Sequence, residues 1–375
     1  MSSSTAVAQT ARRAGLFRAS FSTYREFALG KWFDISAALG FSADRSRASS
    51  AELDGLLGAW ADRTAGAEPE YPSFVSRDGF PMEFSVSWRG GVPEVRVLFE
   101  TPGEAPTAWA AQEAGRALTR SLAGRPGVSL ARYLAVEDLF VVPDPAPFRP
   151  TVWHSMAYRP GERARYKVYL NPQAHGCAAV PEVMAAAMAR LGLSSAWRGV
   201  ASSLTELAAE GHDLEFVALD LADAPDARVK VYFRHTGRVD LDRVASFART
   251  HDPVLAQPAY RDVYGPPGLP DNEPMTCLAF RAGAGGAEEA NIYLRLPSEV
   301  SSDAEAAARI TSVMRRFGVD HHQYRAVVDA LAPQPLETMV GMHELLSFRT
   351  TSRRPDLGVY FRFAVHDTAV AGAHA

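Results

Sequence analysis

Basic and phenolic side chains recur at alternate positions in short β-forming segments of this sequence. In 228–232, Arg228, Lys230 and Tyr232 alternate with valines, so in a strand they share one face. A single segment of this kind is typical of a half-exposed sheet. The pattern recurs in five segments, which indicates one shared site. The candidates are five cations, Arg96, Lys167, Arg228, Lys230 and Arg295, and four phenols, Tyr169, Tyr232, Tyr293 and Tyr360.

These residue types suit the handling of a diphosphate and a carbocation. Arginine offers paired donors to phosphate oxygens and lysine a compact point charge, whereas phenol rings attract cations through their quadrupole. Cations held together away from water repel one another, so they persist mainly where an anion binds. The sequence has neither an Asp-Asp-x-x-Asp run nor a Walker-type glycine loop. We therefore expect no metal and no cofactor, with side chains neutralising the anion.

Two other residues are candidates for acid and base chemistry. Glu83 lies on the polar face of its segment with Ser85 and Ser87. It could accept a hydrogen bond from an N–H or O–H of a second substrate, or pair with a cation such as Arg96. His154 is predicted to face the lumen with Met156, and it is a candidate proton acceptor or a structural histidine.

The elements that must position these residues are paired strands separated by helices. Alternating polarity and turn residues predict five hairpins, at 80–88 and 94–100, 151–158 and 165–170, 215–221 and 228–234, 275–281 and 291–296, and 344–351 and 357–363. Apolar residues at helical spacing predict helices at 21–39, 52–60, 107–122, 129–140, 181–191, 195–209, 241–248 and 321–331, with another opened by the capping box at Ser302.

This strand, strand, helix, helix unit repeats about every 60 to 70 residues, which indicates one architecture rather than separate domains. We predict an α+β fold: a closed ten-stranded antiparallel β-barrel with a solvated lumen, ringed by α-helices. A two-layer sheet covered by helices on one side is the alternative. The whole chain, 1–375, is predicted to be one domain, with a helical region at 1–75, an irregular proline-rich loop or lid at 252–273 and a frayed tail at 366–375.

Composition excludes several other classes of protein. The 375 residues are 47% hydrophobic and 22% charged with a formal net charge of −4, so nothing favours binding to nucleic acid or to an anionic membrane. No apolar stretch approaches the length of a membrane span, and the two cysteines, Cys177 and Cys277, form no metal-binding pair. We expect a cytoplasmic protein; the sequence carries no signal for its oligomeric state.

Five motifs resemble a known family, the bacterial branch of the dimethylallyltryptophan synthase family of indole prenyltransferases. They are PMEFSVSW, EVRVLFE, YKVYLNP, ARVKVYFRH and LGVYFRF, and the resemblance spans 79–363. It implies a prenyltransferase barrel and transfer of a dimethylallyl group from its diphosphate to an indole without a required metal. The last two hairpins, with Tyr293, Arg295 and Tyr360, depart from the family pattern, and His154 stands where some members have lysine.

The resemblance also implies roles for individual residues. Glu83 would engage the indole N–H; Arg96, Lys167, Arg228 and Lys230 would hold diphosphate; Tyr169 and Tyr232 would shield the cation. The expected acceptor is tryptophan or a tryptophan-derived metabolite. Two alternatives remain: a phenolic or other non-indole aromatic acceptor, and a barrel that binds an isoprenoid diphosphate without catalysis.

Overall fold

A closed antiparallel barrel of ten strands forms the centre of the fold. The computed structural model describes Phe17 and residues 21–146, 150–350 and 356–367. Each strand pairs with its neighbours in sequence, and β1 also pairs with β10. The strands are β1 Met82–Arg89, β2 Val92–Phe99, β3 Val152–Tyr158, β4 Arg165–Leu170, β5 His212–Asp220, β6 Val229–His235, β7 Met275–Phe280, β8 Glu289–Arg295, β9 His343–Arg349 and β10 Asp356–Phe361. The predicted barrel is confirmed.

Helices surround the sheet. They are α1 Tyr24–Ala38, α2 Ala43–Asp54, α3 Ala108–Ser121, α4 Ala131–Leu134, α5 Val180–Arg190, α6 Ser194–Ala201, α7 Leu204–Ala209, α8 Asp242–Ala245, α9 Pro253–Tyr264, α10 Asp303–Arg316 and α11 His322–Leu331. Short 3₁₀ turns occupy Ala59–Asp62, Glu137–Leu139, Pro172–His175, Cys177–Ala179 and Leu336–Thr338. None of the described helices has the length and apolar content that crossing a bilayer requires.

Alternate residues of each strand belong to two different cores. The outward set packs against the helices, as where the ring of Phe84 in β1 lies 6.3 Å from that of Phe27 in α1. The inward set forms a separate aromatic cluster that includes Tyr169, Tyr232 and Tyr293. The predicted tyrosine face is therefore the lumen face. Because the sheet closes, it leaves no unpaired edge.

Local sequence explains where several helices begin and how closely they approach the sheet. Thr23 and Glu26 form a capping box before α1, and Ser302 accepts a hydrogen bond from the Glu305 N–H at the start of α10. Gly115 lets α3 lie directly on β3, since an added Cβ would come within 3.1 Å of the Val152 carbonyl oxygen. The helix start predicted at Ser302 is confirmed, but the capping box is only half formed, because the Glu305 carboxylate accepts from the Ser301 N–H and not from that of Ser302.

Three predicted features differ from the structure. Residues 252–273 are not wholly irregular: α9 covers Pro253–Tyr264, with Asp252 capping the Val254 N–H and Pro253 at the first turn, where no N–H is needed. A helix predicted at 52–60 is replaced by α2, which ends at Asp54. His366 is buried and donates its N–H to Asp78, so it is anchored rather than frayed; residues 368–375 of the predicted tail lie outside the described residues.

Candidate active site

The lumen opens into a cavity of about 460 Å³ at the end where the hairpin turns lie. Four of the five predicted anion-binding residues line it: Arg96, Lys167, Arg228 and Lys230. Arg96 comes from β2, Lys167 from β4 and Lys230 from β6, and Arg228 immediately precedes β6. All four point inward because they occupy the inward set of alternate positions. The shared cationic site inferred from the five segments is thus present for these four residues.

Carboxylates around the cavity hold several of these cations in place. Glu94 accepts from Arg96 at 2.7 Å, and Asp220 accepts from the Arg228 Nε at 2.9 Å. Lys167 Nζ lies 3.6 Å from Asp220. Burial alone would raise the pKa of Asp220, but Lys167 and Arg228 outweigh it and hold that pKa below its usual range. Arg96, Lys167 and Arg228 are therefore held in position by carboxylates.

Burial and the concentration of positive charge lower the pKa values of the two lysines. Burial, joined by neighbouring cations that include Arg228, lowers the pKa of Lys230 to about 8. Burial and the nearby Lys230 likewise lower the pKa of Lys167. A multiply charged anion in the cavity would reverse both effects, since it favours the charged form of each amine.

Arg349 of β9 is a cavity residue that sequence analysis missed. It lines the same cavity, pairs with Glu289 and lies 3.1 Å from Asp356. The signal was available, because Arg349 stands two residues after Ser347 on the inward face of a predicted strand. A fourth strand, β9, therefore contributes a cation to the same space.

An aromatic wall lies next along the lumen. The rings of Tyr169 and Tyr232 are 6.1 Å apart, those of Tyr232 and Tyr293 5.9 Å, and those of Tyr293 and Tyr360 5.6 Å. Arg96 donates to the Tyr360 hydroxyl at 3.2 Å, which joins the wall to the cations. The four predicted phenols are thus contiguous. Burial raises the pKa of Tyr169 to about 12, so it remains a neutral phenol.

Trp153 and Phe216 complete this wall and were not predicted. The Trp153 ring stacks on Tyr169 at 5.6 Å with an interplanar angle of 12°, and Phe216 stacks on Tyr232 at 4.4 Å. Their inward orientation could not be predicted, because both faces of β3 and β5 carry apolar residues and polarity does not alternate along these strands. A flat aromatic substrate would find stacking partners on this wall.

The opposite end of the lumen carries a buried charge network. Glu83 accepts from the Arg362 Nε at 3.0 Å, and Arg362 also donates to Glu344 at 3.0 Å. Glu344 in turn pairs with Arg295. Burial raises the pKa of Glu83 and Glu344 adds to the effect, whereas Arg362 opposes it. The prediction that Glu83 could pair with Arg96 is therefore wrong, because Glu83 pairs with Arg362.

Arg295 does not join the other predicted cations. β8 starts at the turn end of the barrel, and Arg295 is its last residue, so it reaches the Glu83 end and pairs with Glu344 there. The alternation of polar and apolar residues correctly predicted that the Arg295 side chain points inward. That pattern does not give the position of Arg295 along the barrel axis.

His154 faces the helices and not the lumen. Its Nε2 lies 2.8 Å from the Thr119 Oγ1 of α3, and its ring lies 6.1 Å from Phe99 in the outer core. Burial lowers its pKa to about 3, so it is neutral. Trp153 and Ala157 occupy the inward face of β3, so the predicted placement of His154 is wrong and the structural reading holds.

Comparison with known proteins agrees with this geometry. Residues 55–328 match the family model for tryptophan dimethylallyltransferase. The 6-dimethylallyltryptophan synthase from Micromonospora olivasterospora, solved in complex with DMASPP and Trp, is 30% identical, with 93% of this chain and 99% of that chain covered at a TM-score of 0.83.

Two other solved structures extend the comparison. The 5-dimethylallyl tryptophan synthase from Streptomyces coelicolor, also in complex with DMASPP and Trp, is 28% identical, with 93% of this chain and 97% of that chain covered at a TM-score of 0.82. AnaPT from Neosartorya fischeri is 18% identical over 95% and 96% of the two chains at a TM-score of 0.74, a likeness of fold alone. The chain belongs to the tryptophan dimethylallyltransferase family of prenyltransferase enzymes.

Proposed function

We propose that this enzyme transfers a dimethylallyl group from dimethylallyl diphosphate to the indole ring of tryptophan or of a tryptophan-derived metabolite. The polarity of the lumen carries the proposal: a cationic cavity at one end, a buried carboxylate at the other and an aromatic wall between them. The complexes of the two synthases with DMASPP and Trp support the same substrate classes.

In this proposal the cavity cations bind the diphosphate. As the C–O bond breaks, its electron pair goes to the diphosphate oxygen. The negative charge that results is stabilised by Arg96, Lys167, Arg228, Lys230 and Arg349. Fixed charges in a partly dry site stabilise such charge more than water does, because they need no reorganisation. The leaving group is thus stabilised where the charge develops.

The tyrosines shield the allyl cation until it is captured. Their ring faces present negative potential to the cation, and the rings exclude water, whose oxygen would otherwise attack the cation. The rings are those of Tyr169, Tyr232, Tyr293 and Tyr360. The indole π electrons then form the new C–C bond, and the ring carbon gives its proton to the released diphosphate, which restores aromaticity. Glu83 accepts a hydrogen bond from the indole N–H and so favours the positive charge that develops on the ring.

We further propose that side chains, and not a metal ion, neutralise the diphosphate. The carboxylates nearest the cavity cations, Glu94 and Asp220, are already occupied by those cations. Among the described residues, the one cluster with three potential metal ligands, Asp320, His321 and His322, is not part of the cavity lining. Turnover should survive EDTA; loss of turnover that Mg²⁺ restores would contradict this part of the proposal.

The central test combines two variants with substrate turnover. Product formation from dimethylallyl diphosphate and a tryptophan or tryptamine acceptor is followed by mass spectrometry for the wild type, Glu83→Gln and Lys167→Ala. Loss of one preorganised electrostatic contact typically costs about 10²- to 10³-fold in turnover. The surface variant Glu182→Gln and the variant Lys31→Met, which removes a partly buried lysine of α1 outside the barrel, serve as controls. Unchanged turnover in both lumen variants would refute the assigned roles, and diphosphate binding without product would favour a non-catalytic barrel.

A further inference from the structure

A β-bulge in β5 turns an additional carboxylate, that of Glu215, toward the Glu83 end of the lumen. The register of β5 against β6 shifts between Leu214 and Phe216, which makes Glu215 the inserted residue. Bulges re-aim side chains and occur beside active sites. The side chain of Glu215 is 14% exposed, and its nearest ion-pair partner, the Arg234 Nε, is 3.8 Å away. That distance is too long for a hydrogen bond.

The cations near Glu215 are engaged by other carboxylates. Arg234 donates to Glu273 at 3.3 Å, Arg362 is bonded to Glu83 and Glu344, and Arg295 pairs with Glu344. Within the described part of the chain, no donor lies within hydrogen-bond distance of the Glu215 carboxylate. A buried carboxylate of this kind is costly unless a donor reaches it. Burial accordingly raises the pKa of Glu215.

The location of Glu215 links it to the acceptor. Its neighbour Phe216 stacks on Tyr232 and lies 5.4 Å from Trp153 in the aromatic wall. Arg362, which bonds Glu83, is close enough to Glu215 to lower its pKa. An indole lying on the wall with its N–H toward Glu83 would therefore place its side arm at the Glu83 end of the lumen, where Glu215 lies near Arg295 and Arg362.

We propose that Glu215 binds the protonated amine of an indole-ethylamine acceptor. An ammonium group supplies the hydrogen-bond donors and the positive charge that this carboxylate lacks, and such charge-assisted bonds are the stronger class. This inference rests on the proposed function and adds a specificity: acceptors with a free ammonium group are selected over indoles that have none.

The test compares acceptors with and without an ammonium group. Tryptamine and tryptophan carry one, whereas 3-methylindole and indole-3-propionate do not. Steady-state constants with dimethylallyl diphosphate are measured for the wild type and Glu215→Gln, with the surface variant Glu206→Gln as control and Glu215→Asp as the conservative replacement. We expect Glu215→Gln to raise KM for tryptamine and tryptophan about 10- to 100-fold. It should leave kcat/KM for 3-methylindole nearly unchanged, and Glu215→Asp should recover part of the loss.

The outcomes separate this inference from the proposed function. Turnover of 3-methylindole by Glu215→Gln shows that the variant is folded and active, so a selective loss on the amines supports the inference. Equal effects on all four acceptors, or a wild type without preference for an amine, would overturn it while indole prenylation stands. If no indole is prenylated by the wild type, both fall.

Discussion

Binding of the diphosphate should be coupled to protonation of Lys230. In the empty cavity burial, together with surrounding cations, holds the pKa of this amine at about 8. A bound diphosphate contributes negative charge beside it, which should return the pKa to at least the ordinary lysine value of about 10.4. The free enzyme loses this proton above pH 8, whereas the complex retains it. Affinity should therefore fall as pH rises through that window.

The size of the effect follows from the two pKa values. Between about pH 8 and pH 10, each pH unit should weaken binding about tenfold, which is about 1.4 kcal/mol. The second ionisation of a phosphate group lies near pH 6, so the ligand itself is fully charged throughout this range. Lys167, whose pKa is also lowered, can steepen the dependence. In Lys230→Met the slope of log Kd against pH should be smaller by about one.

Calorimetry with an unreactive thio analogue of dimethylallyl diphosphate between pH 7 and pH 9.5 measures this directly. Buffers of different ionisation enthalpy report the protons taken up on binding, which should approach one more for the wild type than for Lys230→Met at pH 9. Lys31→Met, on a helix outside the barrel, is the control for removal of a lysine. Identical slopes in the wild type and Lys230→Met would refute the coupling.

Three further outcomes follow from the structure. Replacing Arg362 with Met leaves the Glu83 carboxylate without its buried partner and should raise the pKa of Glu83 further. The rate of indole prenylation should then fall about 100-fold at neutral pH, and the acidic limb of the pH–rate profile should move to higher pH. Burial lowers the pKa of His235 to about 3, so the free energy of unfolding should decrease as pH falls below about 6.5, by about 2 kcal/mol at pH 5. Urea titrations at pH 7 and pH 5 should show a smaller pH dependence for His235→Gln than for the wild type. Phe233→Ala empties a fully buried outward position and should cost about 3–5 kcal/mol of unfolding free energy, with little change in KM for either substrate if folded enzyme is recovered.

Predictions from the sequence were correct where the two-residue period of a strand determines which way a side chain points. They placed Arg96, Lys167, Lys230 and the tyrosines on one inner face, because a closed sheet leaves alternate side chains only two directions. They failed for Arg295, whose height in the barrel depends on strand register. Register is set by pairing across the sheet and by bulges, which side-chain polarity does not encode.

Other differences arose where partners from distant parts of the chain decide the structure. His154 is tolerated on an apolar face because Thr119 of α3 meets it, and no spacing within β3 reveals that contact. Helix α2 lacks an apolar stripe: its buried face includes Ser46 and Ser49, and Ser49 accepts a hydrogen bond from Trp32 at 2.9 Å. Hydrophobic periodicity does not detect a helix packed through serines. In α9 two prolines hid a helix that Asp252 caps.

The separation of inner and outer side chains has a consequence for engineering. Outward residues such as Phe84 and Phe233 pack with helices and hold the scaffold together, whereas inward residues such as Trp153 and Phe216 touch mainly one another. A mutant library confined to inward positions should therefore keep a larger share of folded members than one spread along whole strands. New acceptor preferences are thus best sought by randomising every second residue of a strand.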